Sequence, residues 1–168
     1  MGTKFSTRVW VSVVGIASIF FGSKGYADTV ISVADFGLKP DTRENAVAYV
    51  QKAIEACRGK EPVTLVFPEG RYDFWPQYAH EKNYYETNTY DVFPKRLAML
   101  FEGLHNITVD GNGSQFVMHD RIQPITVENC DGVTLKNFSI DWDIPLTAQA
   151  RVIKVGSDFF EIEINVLE

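Results

Sequence analysis

Two aspartates in this sequence have a spacing that suits acid–base chemistry. Asp141 and Asp143 flank Trp142 in a segment whose alternation predicts a β-strand. Residues two apart on a strand share a face and lie about 6.5–7 Å apart, and inverting hydrolysis of a glycosidic bond uses a general acid and base roughly 6.5–9.5 Å apart. The spacing permits a catalytic pair. Aspartates at strand ends also bind turn N–H groups, and we favour that structural role, with substrate contact second and catalysis third.

His119 and Arg121 are further candidates on the same predicted face. We expect His119 to match Asp141 in the neighbouring repeat and to lie within hydrogen-bonding distance of it, with Arg121 nearby. A single histidine on the surface is more often without a functional role than part of a site. We therefore interpret His119, Arg121, Asp141 and Asp143 only as candidate substrate contacts.

An aromatic segment at residues 75–95 has no periodicity of its own. It contains Tyr84 and Tyr85 beside other aromatic residues. Segments of this length without a repeat are uncommon in compact domains and often functional, and aromatic faces suit the C–H surfaces of sugars. Tyr84 and Tyr85 are candidate substrate contacts. The favoured alternative is that the segment packs its rings across the side of the fold.

Short alternating segments with Asn, Asp and Gly turns repeat from Ala98 onwards. Residues 104–109 match residues 130–135 at an offset of 26, whereas Phe116/Phe138 and His119/Asp141 match at 22, so we expect the turn at 111–114 to absorb four residues. Strands of this kind suit coils stacked about 4.8 Å apart. The pattern predicts an all-β fold, a right-handed parallel β-helix.

A helix is expected to cover the open end of the first coil. Asp41 and Glu44 have capping-box spacing at its start. One apolar face follows, made of Ala46, Val47, Val50, Ala53, Ile54 and Cys57. Short alternating strands are predicted on both sides, at 31–33, 63–67 and 71–74. We interpret the helix as a lid, because the first coil has an open sheet edge and an exposed apolar end that need a cover.

The first 27 residues have the three-part pattern of a cleaved signal peptide. Lys4 and Arg8 precede an apolar run, and small residues at Gly25 and Ala27 precede the expected cleavage site. We therefore expect an exported protein, periplasmic or secreted, with no membrane insertion after cleavage. The chain carries a net charge of −6, which argues against nucleic-acid partners.

The two cysteines and three histidines have no zinc-ligand spacing, and we expect two free thiols, no metal and no cofactor.

The sequence pattern of residues 148–168 differs from that of the preceding repeats. Strict alternation around a Gly-Ser-Asp turn predicts an antiparallel hairpin, which we interpret as the start of an inserted β-hairpin or β-barrel module. Residues 28–147 then form the N-terminal part of the β-helix domain. About two coils fit between Ala98 and Pro145, fewer than the ~3 that stacked repeats need. We expect the chain to be a fragment, with its catalytic residues beyond Glu168.

Several motifs resemble those of known families. Residues 33–41 and 66–72 resemble the N-terminal signature of the pectate-lyase-like β-helix superfamily. Residues 84–89, 94–98, 109–114 and 136–143 together resemble the N-terminal part of glycoside hydrolase family 110, exported bacterial α-1,3-galactosidases. The resemblance implies removal of terminal α-1,3-linked galactose from glycans with inversion, no cofactor, and a carbohydrate partner.

Two other classes stay open. One is another β-helix enzyme acting on polysaccharides, either a lyase or a polygalacturonase-like hydrolase. The other is a β-helix that binds glycans or mediates adhesion without catalysis. The sequence does not indicate an oligomeric state.

Overall fold

The computed structural model describes residues 29–83, 85, 93–147 and 149–164. This part of the chain is mostly β-strand, with one α-helix, α1 (Val47–Cys57), and a 3-10 helix at Val33–Phe36. Its strands, in chain order, are β1 (Thr29–Ser32), β2 (Val63–Val66), β3 (Arg71–Phe74), β4 (His80–Lys82), β5 (Lys95–Glu102), β6 (His105–Met118), β7 (Gln123–Glu128), β8 (Asp131–Trp142), β9 (Ala150–Val155) and β10 (Phe160–Ile164). Neither helix is long and apolar enough to cross a bilayer. The expected signal peptide lies outside the described residues.

Parallel hydrogen-bond ladders join most of these strands into two sheets. In the larger sheet β1 pairs with β2, and β2 and β3 pair with the two halves of β6. The other edge of β6 pairs with β8 along its length. In the smaller sheet β5 pairs in parallel with β7 and antiparallel with β4. Successive passes of the chain therefore lie side by side in the same direction.

The ladder register confirms one predicted offset and corrects the other. Ile107 lies beside Val133, which is the predicted offset of 26. Beyond an irregularity between Asp110 and Ser114, Phe116 lies beside Ile140, an offset of 24 rather than 22. The turn absorbs two residues, not four. Matching by residue type was misleading because Phe138 stacks diagonally on Phe116, with ring centroids 4.8 Å apart.

Apolar side chains from both sheets and from α1 form one core. The helix buries the face that its spacing predicts and packs against β1, β2 and β5. Its buried residues are Val47, Val50, Ala53, Ile54 and Cys57. Rings of Phe67, Tyr72, Phe74 and Phe116 contact one another within this core.

The predicted capping box at the helix start is wrong. Asp41 has a positive φ of 62° and lies several residues before α1, and its carboxylate accepts the backbone N–H of Arg71 instead. The amide oxygen of Asn45 accepts the N–H of Val47. A longer-range partner therefore outcompetes the local cap, and the helix begins later than the motif suggested.

The predictions of an antiparallel hairpin and of two free thiols are confirmed. β9 and β10 pair antiparallel, as the alternation predicts. Cys57 and Cys130 are both free, and burial raises the pKa of the Cys57 thiol to about 11.

Gly111 is a position where the stacked strands leave no room for a side chain. A Cβ there would lie 2.5 Å from the Cβ of Phe138 and 2.7 Å from the carbonyl oxygen of Asn137. We predict that Gly111→Ala lowers the free energy of unfolding by about 1–3 kcal/mol, because backbone or ring must shift. Gly113→Asn is the control, since Gly113 has open space and asparagine tolerates its positive φ. Equal urea midpoints for the two variants would contradict this packing.

Candidate functional site

Polar side chains gather where β3, β6 and β8 end. We call this group the Asp73 cluster, and its members are Arg71, Asp73, Trp75, His119 and Asp143. Arg71 and Asp73 lie two residues apart on β3, on the face opposite the apolar core residues of that strand, because successive side chains alternate. Strand geometry thus places the guanidinium beside the carboxylate.

The ladder continues one residue past each of the three strands. The N–H of His119 donates to the carbonyl of Phe74, and the N–H of Asp143 donates to that of Met118. His119 is therefore a neighbour of Trp75, and their rings stack with centroids 3.9 Å apart and planes 4° from parallel. Asp143 follows beside His119.

Asp73 is the centre of the cluster. Its side chain has no solvent exposure. Arg71 reaches it through two nitrogens, with Nη2–Oδ1 at 2.6 Å and Nε–Oδ2 at 3.0 Å, and His119 Nε2 lies 2.8 Å from Oδ1. Arg43 adds a longer ion pair at 3.9 Å. A buried carboxylate is stable only when its oxygens are satisfied in this way.

Opposing effects set the charge of Asp73. Burial alone would raise the pKa of its carboxyl, but the hydrogen bonds from Arg71 and His119 outweigh burial and hold the pKa below its usual range. The hydrogen bond with Asp73 in turn raises the pKa of Arg71. An ionised carboxylate only accepts hydrogen bonds, so the Nε2–H group of His119 donates a hydrogen bond to Asp73.

The exposed part of the cluster is the Asp143 carboxylate, 44% exposed. Carboxylates at a sheet edge accept hydrogen bonds from hydroxyl groups, whereas the buried Asp73 cannot touch a ligand. Among the described residues, no three His, Cys, Asp or Glu side chains are grouped to hold a metal ion. The Asp143 carboxylate is a hydrogen-bond acceptor that a hydroxyl-bearing molecule can reach.

A concave region lies on the smaller sheet, apart from the Asp73 cluster. Its volume is about 400 Å³, and its lining residues are Lys82, Asn83, Thr126, Val127 and Glu128. Glu102 and Glu128 are neighbours in register, and Lys82 Nζ contacts both carboxylates at 2.7 and 2.6 Å. Lys82 thus neutralises a stacked pair of like charges and attaches β4 to the sheet.

Comparison with known proteins identifies the family, although no family model matches the chain. It is 61% identical over 139 residues to "Alpha-1,3-galactosidase B" of Bacteroides thetaiotaomicron, covering 83% of this chain and 23% of that protein. It is 37% identical over 136 residues to "Alpha-1,3-galactosidase A" of Shewanella woodyi, covering 81% and 22%. The chain therefore spans about a quarter of the length of these curated relatives.

This chain belongs to the α-1,3-galactosidase family, glycoside hydrolase family 110. The similarity agrees with the resemblance carried by its motifs. It covers only part of each relative, as an N-terminal portion of such a galactosidase would.

The structure separates the candidate site residues of this family member into two groups. His119 and Asp143 lie in the Asp73 cluster, with His119 Nδ1 3.6 Å from Asp143 Oδ2. The expected match of His119 with Asp141 is wrong, because Asp141 lies beside Val117 and accepts the N–H of Trp142. The spacing of Asp141 and Asp143 as a pair stays a prediction: Asp141 lies on β8, which ends at Trp142, and Asp143 continues its ladder by one residue.

The remaining candidates lie away from the Asp73 cluster. Arg121 is exposed in the bend between β6 and β7, and no hydrogen bond or ion pair among the described residues joins it to the cluster. Tyr85 is 80% exposed and its ring meets Phe93 edge to face at 5.1 Å. Tyr84 lies outside the described residues.

Arg71, Asp73 and Trp75 were not predicted from the sequence. β3 pairs with β6 at an offset of 44 residues, so the 26-residue repeat does not indicate it. The available signal was the alternation of Arg71 and Asp73 with apolar residues on a strand, which places both charges on one face. The sequence pattern did not indicate that Asp73 would be buried or that His119 would be its partner.

Removing the charge of Asp73 in this galactosidase-family chain should lower stability by an amount that depends on pH. We predict that Asp73→Asn lowers the free energy of unfolding at pH 7 by about 3 kcal/mol, because Arg71 and His119 lose a buried partner. The folded-state pKa of Asp73 lies below its unfolded value of about 3.9. Its stabilisation is therefore complete above that value and is lost as pH falls through the folded pKa.

Urea unfolding of both proteins at pH 7 and at lower pH measures the difference. The difference in free energy of unfolding between the wild type and Asp73→Asn becomes smaller below about pH 4. Glu163→Gln breaks the exposed Arg151–Glu163 pair and serves as the control with a small effect. A difference in free energy of unfolding that stays constant across the whole pH range would contradict an ionised, buried Asp73.

Proposed function

We propose that the complete protein is an exported glycoside hydrolase that removes terminal α-1,3-linked galactose from glycans with inversion. The observation that carries this proposal is the 61% identity to "Alpha-1,3-galactosidase B" over most of the chain. The catalytic residues would lie further along the complete chain, because the relatives are about four times as long. The signal-peptide pattern of residues 1–27 supports export.

The stacked parallel ladders support a right-handed parallel β-helix as the fold of the complete protein. In such a fold each strand pairs with the equivalent strand of the coil before it, and β2, β6 and β8 are related in this way. The right-handed sense follows the strong general preference of parallel crossover connections. The β9–β10 hairpin would begin an inserted β module.

Exposure of the last strands supports continuation of the same stack. Inward positions of β6, such as Val109 and Phe116, are buried, whereas Leu135 and Ile140 beside them on β8 are more than a third exposed. Burying apolar surface of this kind is strongly favourable. Further coils of the complete protein would cover it.

The glycan would contact the edge formed where β8 ends. Asp143 presents a half-exposed carboxylate there, with His119 beside it and Asp141 exposed two residues earlier. Carboxylates and imidazoles bind sugar hydroxyls through hydrogen bonds. Arg121, Tyr84 and Tyr85 remain weaker candidate contacts.

The test is an NMR assay of the complete protein with an α-1,3-linked galactose disaccharide in the presence of a chelator. We predict release of galactose, with the β-anomer formed first because hydrolysis of an α-linkage with inversion yields it. A β-linked disaccharide is the control substrate and stays intact. Unsaturated uronate from a polyuronate, without galactose release, would contradict the proposal and favour a lyase.

A further inference from the structure

Asp73 has no exposed surface and can act only through its neighbours. Its Oδ1 lies within 3.1 Å of Arg71 Nε, Arg71 Nη2 and His119 Nε2, and its Oδ2 lies 3.0 Å from Arg71 Nε. A carboxylate held from two directions fixes both donors in return, since ionic hydrogen bonds are short and directional. The stack of Trp75 on His119 fixes the plane of the imidazole as well.

The two groups that Asp73 holds both face Asp143. Arg71 Nη2 lies 3.4 Å from Asp143 Oδ1, and His119 Nδ1 lies 3.6 Å from Asp143 Oδ2. Each oxygen of the exposed carboxylate thus has its own neighbour, and each neighbour is held by the same buried anion. Asp143 is also where the chain leaves the larger sheet towards β9.

We propose that Asp73 is a positioning residue that orients Arg71 and His119, and through them Asp143, for contact with the galactose-bearing glycan. This proposal rests on the proposed function. Three segments that are far apart in sequence are joined here, namely β3, the end of β6 and the end of β8. Asp73 is not a catalytic residue, because burial keeps it from the substrate.

Asp73→Asn in the complete protein tests the proposal. The amide keeps the shape but cannot accept from donors on both of its atoms. We expect KM for the α-1,3-linked disaccharide to rise about tenfold with kcat little changed, as when a contact made equally in ground and transition states is lost. We also expect faster amide hydrogen exchange at residues 141–147.

Asp110→Asn is the matched control. Asp110 also joins β6 to β8, accepting from Asn137 Nδ2 at 3.0 Å and pairing with Lys136 Nζ at 3.2 Å, but it lies in the other half of the β6–β8 ladder, before the irregularity that precedes Ser114. Its loss should change neither KM nor exchange at 141–147. An equal rise in KM for both variants would overturn the proposal, since a purely structural role would then explain it.

The double variant Asp73→Asn/Asp143→Asn separates positioning from general stability. If Asp73 acts through Asp143, the double variant has the same KM as Asp143→Asn alone, whereas independent roles give multiplied effects. Multiplied effects would overturn the proposal. If Asp73→Asn does not fold, Arg71→Lys replaces it, because lysine keeps the charge but loses the two-nitrogen contact. An unchanged KM in that variant overturns the proposal.

Failure of the proposed function can be distinguished from failure of the positioning role of Asp73. If wild type releases no galactose, the proposed function fails. Hydrogen exchange at 141–147 still reports whether Asp73 orients Asp143, and unchanged exchange in Asp73→Asn overturns that orientation.

Discussion

Parallel in-register pairing of the strands is the constraint on which the rest of this structure depends. Because side chains alternate along a strand, a slip of one residue would turn the core positions outward. At the corner between Asp110 and Ser114, β6 contains two more residues than β8. An even difference preserves the faces, so Phe116 remains inward beside Ile140. Gly111 accommodates the corner by its lack of a side chain, since Phe138 lies against it.

The same register builds the Asp73 cluster. An offset of 24 after the corner brings Asp143, rather than Asp141, beside His119. Burying Asp73 costs solvation free energy, and its ion pair and hydrogen bonds offset that cost only while Arg71 and His119 keep their positions. A local change in register would therefore remove the core alignment and the polar cluster together. Structure and candidate recognition site are coupled through one set of backbone hydrogen bonds.

Features set by nearby residues were predictable from the sequence. The apolar face of α1, strands β2 and β3 and the β9–β10 hairpin follow from periodicity within short windows. The offset of 26 follows instead from a repeat of residue types. The cap at Asp41 was not, because the backbone of Arg71, thirty residues on, takes its carboxylate. The Asp73 cluster was missed for the same reason, since its members come from three strands. Family membership came from motifs and identity, not from the geometry of the cluster.

Engineered cysteine pairs across the ladder test the register most directly. With Cys57 and Cys130 replaced by alanine, the pair His119→Cys/Asp143→Cys is compared with His119→Cys/Asp141→Cys after mild oxidation and peptide mapping. Neighbours on adjacent strands lie about 4.8 Å apart, within the range that a disulfide spans. The structure predicts a disulfide between positions 119 and 143 and little between 119 and 141. Preferential bonding of 119 to 141 would contradict the register and, with it, the Asp73 cluster.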